Sequence, residues 1–197
     1  MNKANKITMS RIVMSVIIIV LLLFPFDQMG FEFPTFLFNG NIFVDLKYII
    51  VGVLFIIASL TDFFDGYVAR KFNLVTDFGK MMDAISDKLL TNSVLIILAC
   101  NGKISTVVAV IIVVRDIVVD SIKMVIGNKG AAVAAIKIAK WKTATLMVGI
   151  VLTLFYNLPF ELVNLRISDF LLAVAAILSV ISACKYYIMA KPYLKDR

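Results

Sequence analysis

The sequence predicts an all-α integral membrane protein with six transmembrane helices and cytoplasmic N- and C-termini. Three observations predict it. Of the 197 residues, 61% are hydrophobic and 17% charged, against about 45–50% and about 25% in soluble domains. Six apolar segments each approach the ~20 residues that cross a bilayer. Every Lys and Arg except Lys47, Lys103 and Arg166 falls on the side that holds the termini, which the positive-inside rule makes cytoplasmic. With a mean hydropathy of +0.98, the chain can be neither a water-soluble globule nor a disordered segment.

The first segment, residues 8–26, has an apolar core from Ile12 to Phe24 followed by Pro25-Phe26-Asp27-Gln28. That is no small-residue cleavage site, so the segment reads as a retained anchor. Ahead of it, residues 2–11 form a short polar and basic N-terminal lead-in suited to an interfacial position among headgroups. The outer loop at 27–45 carries Gly30, Pro34, Gly40 and several Phe and is expected at the interface. Segments 44–67 and 82–101 are joined by a tight turn from Lys71 to Thr76, which makes them antiparallel neighbours. The fourth segment is 104–126, and a basic cytoplasmic turn at 128–142 leads into the fifth, 142–159. The sixth, 168–189, is generically apolar. No repeat or linker divides the chain, so residues 1–197 read as a single membrane domain.

Absences exclude whole chemistries. There is no His, hence no imidazole base, nucleophile or metal ligand. Cys100 and Cys184 lie in apolar runs without metal-ligand spacing and read as buried thiols rather than a disulfide. No phosphate-binding glycine loop and no Gly-x-Ser-x-Gly elbow is present. The net charge of +7 reports topology and contact with anionic lipid headgroups, not nucleic acid.

Four carboxylates sit where charge is expensive. Asp62 and Asp65 close the second segment, and Asp83 and Asp87 open the third. Spacings of i,i+3 and i,i+4 put each pair on one helix face, and the tight turn lets all four converge at the cytoplasmic rim. Four such groups repel unless cations hold them, and hard divalent ions with oxygen ligands, Mg²⁺ or Mn²⁺, suit them best. Gly66 and Gly79 flank the set; glycine weakens a helix, so both suggest a close approach by a helix or a flat ligand. A cation-coupled transporter also uses intramembrane carboxylates, but near the midplane and with access from both faces.

Written out, Asp62-Phe-Phe-Asp65-Gly66-Tyr-Val-Ala69-Arg70, eight residues, Gly79-Lys-Met-Met-Asp83-Ala-Ile-Ser-Asp87 resembles the signature of the CDP-alcohol phosphotransferase family at all eight of its fixed positions. The resemblance implies a six-helix membrane enzyme, usually a homodimer, in the plasma membrane with its site facing the cytoplasm. It implies two divalent cations, Mg²⁺ or Mn²⁺, on Asp62, Asp65, Asp83 and Asp87, with Asp83 and Asp87 catalytic and Asp87 the general base. It also assigns CDP binding to Asp62, Gly66, Ala69, Arg70 and Gly79, with Asn5 and Thr8 from the N-terminal Asn5-Lys-Ile-Thr8-Met-Ser-Arg11.

The wider pattern is most similar to the branch of the family that joins CDP-diacylglycerol to glycerol 3-phosphate and releases CMP. Ala58-Ser59-Leu60-Thr61, Arg115-Asp116 and Lys140-Trp141-Lys142-Thr143 share in it. A phosphorylated acceptor needs cationic partners, and Arg115, Lys123, Lys140 and Lys142 are the candidates. Arg115 and Lys123 lie eight residues apart, on one helix face. An Arg within a span is costly, so Arg115 points to a bound anion or to an internal partner such as Asp116 or Asp120. Lys123 stands where this branch often has Arg, which gives up a bidentate fork. The basic cluster disfavours serine and unphosphorylated alcohols; inositol phosphate, and phosphatidylglycerol by the same chemistry, stay open as acceptors.

Overall fold

Among the described residues six long helices take up most of the length: α1 (Lys3–Leu23), α2 (Leu46–Lys71), α3 (Asp77–Cys100), α4 (Thr106–Asn128), α5 (Lys137–Leu154) and α6 (Ile167–Leu194). The computed structural model describes residues 3–31, 33–38, 42–71, 77–128 and 136–194, without the side chains of 3–7, 27, 62–71, 77–78, 80, 128 and 194. Each helix matches one apolar segment of the sequence, and several run past it into the charged flanks. Residues 3–11, the polar and basic lead-in, form the opening turns of α1, because nothing in Lys3–Arg11 breaks a helix. The turn at 72–76 and most of the basic connection before α5 (129–135) lie outside the described residues.

Helix ends follow local chemistry. Pro25 follows directly on Phe24, and a residue before proline is pushed out of the helical region, so α1 stops at Leu23. Asp45 Oδ1 accepts the Lys47 backbone N–H at 2.8 Å and caps the start of α2. After α3, Gly102 adopts a left-handed φ of +70°, and the Gly102 and Lys103 N–H groups donate to the Ala99 and Leu98 carbonyls at 3.1 and 2.9 Å. This is the paired-bond stop that a left-handed glycine permits.

By its contacts the chain divides into two compact units, Met1–Ile97 with Leu154–Leu165, and Leu98–Thr153 with Arg166–Arg197. In the first unit α1 packs on α2. The buried stripe of α1 is Thr8, Arg11, Ser15, Ile18 and Leu22, and that of α2 includes Val51, Phe55 and Ala58. The α1 stripe therefore changes from apolar at its C-terminal end to polar at its N-terminal end, while Val13, Val16, Ile17 and Val20 face outward. An exposed apolar face over a partly polar interior inverts the pattern of a soluble helix.

Where the sequence predicts only an interfacial loop at 27–45, strands β1 (Thr35–Phe38) and β2 (Ile42–Asp45) form an antiparallel hairpin with Phe36 opposite Val44 and Leu37 opposite Phe43. Aromatic and β-branched residues favour strands, but four-residue strands are too short for periodicity to reveal. The Asp45 N–H donates to the Tyr156 hydroxyl at 3.0 Å, and Tyr48 meets the Tyr156 ring edge-on at 5.9 Å. A Cβ on Gly52 would stand 2.6 Å from Phe155, so glycine there admits the Phe155 ring against α2.

In the second unit α4 packs on α6. The buried stripe of α4 runs Ala109, Ile112, Asp116, Val119, Ile122 and Ile126, and α6 answers with Leu172, Ala175, Ala176, Ser179, Ser182, Tyr186 and Ala190. A Cβ on Gly149 of α5 would lie 2.9 Å from the Leu172 side chain, which marks a close helix approach. Among the described residues one helix, Ile167–Tyr193, is long and apolar enough to cross a membrane by length and composition, with mean hydropathy 2.2. Thr8–Leu23 and Leu46–Thr61 are shorter apolar stretches; α4 has 23 residues, interrupted by Arg115, Asp116, Asp120 and Lys123. Cys100 and Cys184 are free and exposed rather than buried. Their apolar neighbourhood in sequence is the outward face of α3 and α6, not a core.

Candidate active site

The first unit carries the acidic set. Helix α2 continues without interruption to Lys71, so Asp62, Asp65, Gly66, Ala69 and Arg70 all stand on one unbroken helix; their side chains lie outside the described ones, as does that of Asn5 on α1. Gly79, Asp83 and Asp87 occupy the opening turns of α3. Asp83 and Asp87 are one turn apart, and Thr91 Oγ1 donates to the Asp87 backbone carbonyl at 2.8 Å. Between them Ser86 is fully buried, and its Oγ is a buried polar atom without a hydrogen-bond partner among the described residues. Thr8 is buried on the inner stripe of α1. No three potential metal ligands come together among the described residues.

One neighbour of this set escaped the sequence reading. Arg11, at 1% exposure, donates from Nη2 to Asp83 Oδ1, an ion pair between residues 72 positions apart whose Asp83 side chain is 54% exposed. The Arg11 carbonyl accepts the Ser15 hydroxyl at 2.8 Å. Burying a guanidinium is costly unless a carboxylate meets it, and Asp83 does so. In the sequence Arg11 closes the N-terminal pattern of residues 5–11 directly before the apolar core of the first segment, and it weighs there toward topology and family resemblance, with no partner assigned.

The second unit carries the cationic set. Asp116 sits on the buried stripe of α4, and its Oδ1 accepts Arg115 Nη1 and Lys142 Nζ, both at 2.8 Å, while Oδ2 accepts Lys142 Nζ at 2.9 Å. Arg115 also donates from Nη2 to Ser182 Oγ at 2.5 Å and from Nε to the Ser179 carbonyl at 3.3 Å. Ser182 Oγ in turn donates to that carbonyl at 2.9 Å. Tyr186 lies beneath, with the Arg115 guanidinium 6.0 Å and Lys123 Nζ 5.0 Å from its ring centre, distances suited to cation–π attraction. Its hydroxyl accepts the Ile136 N–H at 3.4 Å.

Three of the four predicted acceptor-site residues, Arg115, Lys123 and Lys142, thus meet around Asp116 and Tyr186. Lys140 does not join them. It is exposed on α5, and two positions from Lys142 means about 200° around the helix, so the two lysines face different ways. The internal partner of Arg115 is Asp116 rather than Asp120. Ser179, Ser182 and Tyr186 are contributions that the sequence reading of a generically apolar last segment missed. Their i, i+3, i+7 spacing put three polar groups on one face of α6 and was the available signal.

Chemically, the first unit presents hard oxygen donors and the second a pair of cations, Lys142 buried and Arg115 partly buried, on a single carboxylate, an arrangement suited to an anion. A family model described as CDP-alcohol phosphatidyltransferase matches residues 1–181. A Bacillus subtilis (strain 168) protein named CDP-diacylglycerol–glycerol-3-phosphate 3-phosphatidyltransferase is 38% identical over 186 residues, 94% of this chain and 93% of its own. A Rickettsia typhi protein of the same name is 32% identical over 193 residues, 98% of each chain. A third of that name, from Mycoplasma genitalium, is 41% identical over 115 residues, 58% of this chain and 49% of its own.

Proposed function

The chain belongs to the CDP-alcohol phosphatidyltransferase family, and from that premise we propose that it transfers the phosphatidyl group of CDP-diacylglycerol to sn-glycerol 3-phosphate, giving phosphatidylglycerophosphate and CMP. The observation that carries this reading is similarity over 93% and 98% of the length of two proteins that bear the corresponding name. The cationic cluster of the second unit supports a phosphorylated acceptor. The family match runs from residue 1 to 181 and so includes parts of both compact units, which supports treating 1–197 as a single functional domain.

Asp62, Asp65, Asp83 and Asp87 would hold two divalent cations, Mg²⁺ or Mn²⁺; hard carboxylate oxygens suit these ions, and α2 and α3 each offer two carboxylates about one turn apart. Such ions, when bound, would supply charge neutralisation of the diphosphate and of the departing CMP. Arg70 steadies the diphosphate, while Gly66, Ala69 and Gly79 leave room for the cytidine, beside Asn5 and Thr8. Arg115, Lys123 and Lys142 receive the phosphate of the acceptor. Asp87 takes the proton of the attacking hydroxyl, a role for which the chain has no imidazole. The new bond joins the acceptor oxygen to the lipid-bearing phosphorus, and the bond from that phosphorus to the bridging oxygen breaks, so CMP leaves with the bridging oxygen.

The six helices are six spans with both termini cytoplasmic and the site facing the cytoplasm of a plasma membrane. The placement of Lys and Arg and the outward apolar faces of α1 and α4 support that topology. The working unit is a homodimer.

The test is CMP release by the purified protein in detergent with CDP-diacylglycerol and Mg²⁺ or Mn²⁺. The acceptors are glycerol 3-phosphate, inositol 1-phosphate, inositol, serine and phosphatidylglycerol, with an EDTA control. Metal-dependent release with glycerol 3-phosphate is expected. Release with a different acceptor alone would overturn the substrate while keeping the chemistry, and release that survives EDTA would overturn the metal site.

A further inference from the structure

We propose that Asp116 is a positioning residue for the acceptor: by accepting hydrogen bonds from both Arg115 and Lys142, it sets the separation and aim of the two cations that receive the acceptor's phosphate. The inference rests on the acceptor reading given above and goes beyond it, since neither the family signature nor the acceptor-binding set includes Asp116.

The geometry carries it. Arg115 Nη1 and Lys142 Nζ each lie 2.8 Å from the same oxygen, Asp116 Oδ1, so the two cations stand no more than twice that distance apart. Left alone, like charges so close repel and drift apart. Asp116 and Lys142 are both less than a tenth exposed, and charge-assisted bonds in such a setting are short and directional. The Arg115 guanidinium is held on a second side as well, by Ser182 Oγ and the Ser179 carbonyl. Its fork is therefore locked in orientation before any ligand arrives. One carboxylate against two cations, Lys142 buried and Arg115 partly buried, leaves the group net positive, so Asp116 organises the cations without cancelling them. Preorganised cations favour a bound anion because little ordering remains to be done on binding.

The experiment compares Asp116→Asn, Asp116→Glu and Lys142→Gln in the full-length enzyme, with KM for each substrate, kcat and melting temperature measured for all. If Asp116 positions the cations, Asp116→Asn raises KM for glycerol 3-phosphate by about tenfold or more and shifts KM for CDP-diacylglycerol less than twofold. Asp116→Glu, which keeps the charge, recovers most of the loss. A KM for glycerol 3-phosphate that is unchanged or lower overturns the proposal, as does an equal loss for both substrates. A fall in KM would mean that the carboxylate only weakens the positive field.

Should Asp116→Asn fail to fold, Asp116→Asn with Lys142→Gln keeps the buried charge balance of the native cluster. A higher KM than Lys142→Gln alone then supports positioning of Arg115, and an equal KM overturns it. Failure of the acceptor reading itself is distinguishable, because Lys142→Gln and Arg115→Ala would then leave KM for glycerol 3-phosphate at its native value.

Discussion

Asp87→Asn is expected to lower kcat by about a thousandfold or more while leaving the melting temperature within a degree or two of native. The substitution is nearly isosteric, and the Asp87 backbone carbonyl keeps its hydrogen bond from Thr91. In the proposed mechanism two functions go at once. The amide cannot take the proton of the attacking hydroxyl, a role worth about 10²–10⁴-fold in enzymes generally, and it is a poor ligand for a hard divalent ion. Raising Mg²⁺ or Mn²⁺ should restore only the metal part of the loss, so a large deficit persists at saturating metal. A kcat within tenfold of native at saturating metal would remove Asp87 as the base.

Asp83→Asn is expected to damage both activity and stability, which separates it from Asp87→Asn. Arg11 is buried and pairs with Asp83; taking the carboxylate away leaves the guanidinium buried opposite a neutral amide. Breaking a buried pair from one side costs about 3–5 kcal/mol. Because the Asp83 end is 54% exposed, a loss of about 2–3 kcal/mol, at or below the low end of that range, is expected. Arg11→Met alone should cost less, since the buried charge disappears and Asp83 can hydrate. Asp83→Asn with Arg11→Met should therefore regain most of the stability and none of the activity. Thermal unfolding in detergent beside CMP-release assays reads both. An Asp83→Asn protein as stable as native, or a double variant no better than the single, would show that the pair contributes nothing to the fold.

The contrast between these two aspartates marks how far the sequence could be read. Their spacing and position identified both as members of one acidic set, and α3 does carry them one turn apart. Nothing in the spacing said that one of them also anchors α1. Arg11 stood out as the last residue of the N-terminal pattern at 5–11 and as a topological charge, and neither signal names a partner 72 positions away. In the second unit the sequence singles out Arg115, Lys123, Lys140 and Lys142 and allows Asp116 as a partner of Arg115; the structure gathers all of these but Lys140, which the helix turns outward. It overlooked Ser179, Ser182 and Tyr186, because a polar face within a long apolar run is diluted by the residues around it. The thiols were misplaced for a related reason: in this chain an apolar neighbourhood is as often the outward face as the core.

The sequence by itself determined the helical class, the approximate helix positions, the acidic motif and the family. Composition, periodicity and residue spacing are properties of the chain read along its length, and they reflect the backbone's need to satisfy its own hydrogen bonds wherever apolar segments leave water. Only the tertiary structure decided which charges are partners: Arg11 with Asp83 across 72 positions, Lys142 with Asp116 across 26, and Arg115 with Ser182 across 67. Those pairings depend on which helix faces meet and at what height. A buried charge settles on whatever opposite group the packing brings within about 3 Å, and no distance along the chain encodes that.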